Sequence, residues 1–216
     1  MARNEELVMV TPSKPRIVAI EEHYWDKEVA ASFGEVDAFR RQSDTVDRLY
    51  EYGEARIQEM DEAGIQMQVL SHGAPSTQRG DAETSVRLAQ GANDRLREIV
   101  RAHPDRFAAF AALPPPDPKA AADELERCVT KLEFKGAMVH GLTNGLFFDD
   151  KRFWPIFERA QALDVPLYMH PAVPHPAVVE AVAQQARTLM QASNAYYTIP
   201  QLQLAQLLVE NSCLDR

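Results

Sequence analysis

Cysteine is scarce in this chain of 216 residues: Cys128 and Cys213 lie far apart and form no CxxC pair. A reduced compartment is the simpler reading. Long apolar runs are missing as well; none approaches the ~20 residues a membrane-spanning helix needs. Basic residues are outnumbered, 23 Lys and Arg against 32 Asp and Glu, for a net charge of −9. No basic stripe is left to displace counterions from phosphates, which argues against nucleic acid and anionic membranes as partners. The leading stretch MARNEELVMVTPSKP carries acids among few apolar residues and has no signal-peptide core, so a cytoplasmic protein is expected. Glycine is absent after the first apolar run, RIVAI, where a dinucleotide-binding sheet would carry GxGxxG.

What is present is alternation. Residues 1–15 read as a leader and 16–216 as one domain. RIVAIEEH (16–23), QMQVLSH (66–72), RFAAFAAL (106–113), FKGAMVHG (134–141) and VPLYMH (165–170) read as strands, rich in apolar and β-branched residues. Between them lie helical patterns: EARIQEMDEAGI stopped at Gly64, a long segment from Ala82, KAAADELERCVTKL after PPPDP, and KRFWPIFERAQALD, whose Pro155 marks a start or a kink. Two further helical patterns follow, AVVEAVAQQARTLMQASNA and IPQLQLAQLLVENS. Strand and helix alternating five times imply an α/β fold with a parallel sheet and helices outside it. The missing glycine fingerprint favours a TIM-type β/α barrel over an open sheet, but an incomplete one, since a full barrel has eight strands.

The strand ends carry the chemistry. Alternation puts Glu21 and His23 on one face at the carboxyl end of the first strand. His170 ends the fifth strand at the same sheet edge, sharing a face with Tyr168. One carboxylate and two imidazoles at the edge where such folds place their sites can hold a divalent cation. His72 and His140 end the second and fourth strands; each lines a pocket or bonds loop backbone. Arg56 is a surface charge or a clamp on a substrate carboxylate. Trp25 walls the pocket or packs in the core. His103, at a helix end, reads as structural, and His175 as a rim residue.

IVAIEEHYW, ARIQEMDEAGIQMQVLSHGAPSTQ, FKGAMVHGLTNGLFFDD and VPLYMHPAVPHP, in this order and spacing, resemble the amidohydrolase-related metal-dependent decarboxylases. That group contains aminocarboxymuconate semialdehyde, γ-resorcylate and 2,3-dihydroxybenzoate decarboxylases. The resemblance runs from about residue 16 to residue 176. It implies one divalent metal, zinc first, with manganese or magnesium as alternatives, held by Glu21, His23 and His170. It implies non-oxidative decarboxylation of a small aromatic or related unsaturated acid, with amidohydrolase-type hydrolysis as the runner-up. It raises Arg56 as a substrate contact.

The family's later GHxGE-like motif and its late metal-ligating Asp, in a SxDYP-like context, have no counterpart here: no His follows His175, and Asp215 is the only Asp after Asp164. Residues 192–216 are read as a faint likeness of the segment leading into that late strand. Impaired catalysis is therefore expected. The alternative from another class is a non-catalytic chain that associates. Open strand edges invite pairing with another chain, so a homo-oligomer is expected.

Overall fold

The computed structural model describes residues 15–32, 44–170, 179–184 and 206. His175, Cys213 and most of the two helical patterns beyond residue 176 lie outside the described residues. Contacts divide the chain into two units, Met1–Val173 and Pro174–Arg216, and every element named below lies in the first.

Strand β1 (Val18–Tyr24) leads to helix α1 (Lys27–Ala31), and α2 (Asp44–Leu49) and α3 (Glu54–Ala63) precede β2 (Met67–His72). The long α4 (Ala82–Ala102) is followed by β3 (Phe107–Ala109) and β4 (Ala111–Ala112), and α5 (Pro118–Lys131) by β5 (Ala137–His140). A ribbon of β6 (Leu142–Thr143) and β7 (Leu146–Phe147), helix α6 (Trp154–Ala162) and β8 (Leu167–His170) complete the series. Asp26, Asp81 and Asp117 cap α1, α4 and α5 by accepting from free first-turn amides. Gly64 ends α3 at φ 72°, a left-handed cap suited to glycine. Pro155 sits in the first turn of α6, so it starts that helix and kinks nothing.

The strand pairs are parallel: β1 with β2, β2 with β3, β4 with β5, and β5 with β8. The third sequence-read strand is split. Phe107–Ala109 pairs towards β2 and Ala111–Ala112 towards β5, with the Phe110 amide donating to the Leu70 carbonyl between them. The two short sheets thus run on as an arc of five parallel strands in chain order, the order of an incomplete β/α barrel.

The arc has two faces. On one, Leu70, Phe107, Ala109, Ala137 and Val139 pack with Leu96, Leu125 and Ile156 of the helices into the main core. On the other, Val69, Ala108, Phe110 and Met138 cluster, with Met67 and Tyr168 against them. Residues at even steps from this second set, Ser71, His140 and His170, share its face. Asn93, fully buried on α4, binds both the amide and the carbonyl of Ala112 and donates to Glu124 Oε1, tying the two-residue β4 to α4 and α5.

Candidate metal centre

β1 is irregular: its register with β2 shifts between Ala19 and Glu22. Beyond the shift, Glu21 and His23 stand opposite His170 across the arc. Each of the three offers a ligand atom within 4.8 Å of the others. His170 Nε2 is 3.1 Å from Glu21 Oε1, and the rings of His23 and His170 meet edge-on with centroids 5.1 Å apart. Burial, then the neighbouring His170, lowers the pKa of His23. A hydrogen bond from Tyr168 holds the Glu21 carboxyl below its usual range. One carboxylate and two imidazole rings are a donor set that suits zinc, manganese or a similar divalent ion.

Two supports were given no role in the sequence reading. Ser71 Oγ lies 3.2 Å from His23 Nδ1, which leaves Nε2 of that ring for the centre. Tyr168 donates to Glu21 Oε2 at 2.6 Å. The available signal was alternation, which sets Ser71 with Val69 and Tyr168 with His170. A third support, Gln78, comes from a loop. It accepts from the His140 amide and donates to the carbonyls of His140 and Leu142 and to Thr143 Oγ1.

The remaining candidates divide. His140 is buried beside the cluster, its ring 5.4 Å from that of His170 and 6.4 Å from that of His23. His72 points to the helix side with Leu70. Its Nε2 accepts from the Asp26 amide, and its Nδ1 donates to the Gly73 carbonyl, so both ring nitrogens serve the backbone. Arg56 is not a free clamp. Its guanidinium donates to Gln68 Oε1, to the Glu51 carbonyl and to the His23 carbonyl, and lies 3.7 Å from Glu22. It lines a 330 Å³ cavity with His23, Glu22 and Arg48 while bracing the ligand strand. Trp25 does not wall the pocket; it is buried in a second core with Val29, Val46, Leu88 and Ala92. His103 caps α4 and touches Phe107, away from the centre.

Burial pushes both His72 and His140 down to about 4 from an ordinary 6.5. The unfolded chain therefore binds more protons than the folded one between these values. The contribution of these two rings to stability is complete above pH 6.5 and is lost as pH drops towards 4, by on the order of 3 kcal/mol for each ring. Thermal midpoints measured from pH 7 to pH 4 should fall steadily; a flat profile would mean the rings are hydrated in solution.

A parallel α/β arc with a carboxylate and two histidines gathered at its carboxyl edge is the architecture of a metal-dependent barrel protein. The chain belongs to the amidohydrolase family, which it matches over residues 18–205. Among curated relatives it is 40% identical over 166 residues to γ-resorcylate decarboxylase of Polaromonas sp. (strain JS666), covering 74% of this chain and 51% of that protein. A crystal structure of dihydroxybenzoic acid decarboxylase from Polaromonas sp. JS666, with bound manganese and 2-nitroresorcinol, superposes with a TM-score of 0.63 at 38% identity, covering 79% of this chain and 54% of that one. The chain thus spans about half the length of the decarboxylases it matches. A different match, 64% identical over 42 residues, is to acetylornithine aminotransferase of Methanocaldococcus jannaschii, covering 19% of this chain and 11% of that protein. Among the described residues, no helix is long and apolar enough to cross a membrane.

Proposed function

We propose that this chain carries the amino-terminal part of a metal-dependent, non-oxidative decarboxylase acting on a small hydroxylated aromatic acid. The observation that carries the reading is the convergence of Glu21, His23 and His170 at the barrel mouth, in a chain similar to aromatic-acid decarboxylases. A bound divalent ion would supply Lewis-acid polarisation of the substrate's carboxylate and neighbouring hydroxyl. Zinc is the first expectation from the donor set; manganese is the ion in the Polaromonas structure. The chain's own residues hold and orient. Ser71 fixes the His23 ring, Tyr168 fixes Glu21, and Arg56 anchors the strand between them. No described residue is assigned to protonating the ring carbon, so turnover by this chain alone is expected to be weak.

The test is metal content per chain by mass spectrometry, on wild type and His170→Ala, with carbon dioxide release from 2,6-dihydroxybenzoate measured alongside. About one ion per wild-type chain is expected. The variant should lose affinity by more than the ~100-fold that removing an outer-shell partner costs. Well-folded wild type without stoichiometric metal would sink the reading.

One observation favours a second reading, of a chain that associates and does not turn over. The aminotransferase match has as many residues as run from His175 to Arg216, and contacts set off the unit from Pro174. We infer that this stretch originates outside the amidohydrolase family. The family match reaches residue 205, so on this placement the two matches overlap over residues 175–205. On this origin, residues 192–216 do not lead into the family's late strand. Light scattering decides: a stable assembly supports association, while a monomer with robust metal-dependent turnover overturns it.

A further inference from the structure

Two buried nitrogen atoms in the first unit have no hydrogen-bond partner among the described residues and lie on adjacent rings: Nδ1 of His140 and Nδ1 of His170. Buried polar atoms are nearly always paired, so two orphans side by side call for an account. Their hydrogen inventories are complementary. His140 Nε2 lies 3.1 Å from the His72 carbonyl oxygen, which can only accept. That nitrogen therefore carries the proton, and Nδ1 of the neutral ring is left with a lone pair. His170 presents Nε2 towards Glu21 at 3.1 Å. A ring that gives its Nε2 lone pair to a cation carries its proton on Nδ1, which then needs an acceptor. One orphan is then a donor and the other an acceptor, although the two are not hydrogen-bonded to each other in this structure.

The backbone sets the pair up. His140 and His170 are register partners in the β5–β8 ladder, so both project to the same face. Their rings meet at 65° with centroids 5.4 Å apart. Gln78 grips both the amide and the carbonyl of His140, so one half of the pair is fixed from the loop.

We propose that His140 is the positioning residue for the ligand His170: with a metal bound, the adjacent rings turn so that His140 Nδ1 accepts the His170 Nδ1 proton, which holds His170 in the tautomer that offers Nε2 to the ion. This rests on the metal reading above and deepens it. His140 is not one of the three gathered donors. It acts through His170, as carboxylates and carbonyls do behind other metal-binding histidines.

Zinc affinity is to be measured by competition with a chelating dye on wild type, His140→Leu and His140→Gln. The leucine variant should bind zinc about 10- to 100-fold more weakly. The glutamine variant, whose amide oxygen can still accept, should stay within about threefold of wild type. Two-bond proton–nitrogen correlation spectra of the unmodified protein give an independent readout. Metal-free, they should show His140 protonated on Nε2; with zinc, His170 protonated on Nδ1. A wild type that binds zinc while His140→Leu binds it equally well overturns this inference alone, as does a His140 proton found on Nδ1. A wild type that binds no zinc overturns the metal reading and this one with it.

Discussion

Gly136→Ala should unfold at much lower denaturant concentration than wild type, with a loss of about 4 kcal/mol. Gly136 has φ +148°, a conformation side chains rarely adopt, and a Cβ built there would lie 2.3 Å from the Pro166 carbonyl oxygen. Neither atom can move cheaply. The Gly136 carbonyl accepts from the Ala111 amide, and the Pro166 carbonyl accepts from the Ala137 amide. Both belong to the ladder joining β4, β5 and β8. Backbone strain and overpacking each cost on the order of 1–3 kcal/mol, and here they add. Gly145→Ala is the control: φ is +82°, but nothing lies within 4 Å of the added Cβ, so about 1 kcal/mol is expected. Urea midpoints of the three proteins settle the matter. Equal midpoints for Gly136→Ala and Gly145→Ala would mean that β5 and β8 separate freely.

Asn93→Leu should cost about 3–4 kcal/mol although it keeps the same number and branching of side-chain heavy atoms and adds apolar surface. The side chain satisfies the amide and the carbonyl of Ala112 and donates to the buried Glu124. Without it, two buried backbone groups lose their partners, at ~1–3 kcal/mol each. Glu124 suffers less, because Arg127 still binds both its oxygens. The measurement is the urea midpoint together with hydrogen exchange at the Ala112 amide, which should speed up in the native state. A variant as stable as wild type would mean that β4 rehydrates without loosening the arc.

The strands and the three clustered donors were readable because each depends on local pattern. Apolar runs mark the strands. Glu21, His23 and His170 stand at strand ends, where the apolar run gives way to polar groups. What escaped depends on distance in sequence or on a break in periodicity. Gln78 acts on groups 62 to 65 positions away. Arg56 is drawn inward by a carbonyl 33 residues off, which a helix pattern does not encode. His72 follows Ser71 by one residue, and alternation alone would have turned it from the site. The β6–β7 ribbon was legible and missed: Asn144 and Gly145 both have positive φ, 47° and 82°, as an Asn-Gly hairpin turn requires. The split at Phe110 leaves no mark in RFAAFAAL, where every residue after the arginine is apolar.

The centre joins the first strand of the arc to the last. Among the described residues β1 and β8 share no ladder, yet Tyr168 reaches Glu21 across 147 positions of sequence. A cation gripped by Glu21, His23 and His170 would act as a clasp, closing nearly the whole described unit into one covalent-and-coordinate loop. Cross-links over such spans take more freedom from the unfolded chain than short ones do, though the gain grows only with the logarithm of loop length. The clasp would also be the last part of the unit to assemble, because it waits for both ends of the arc.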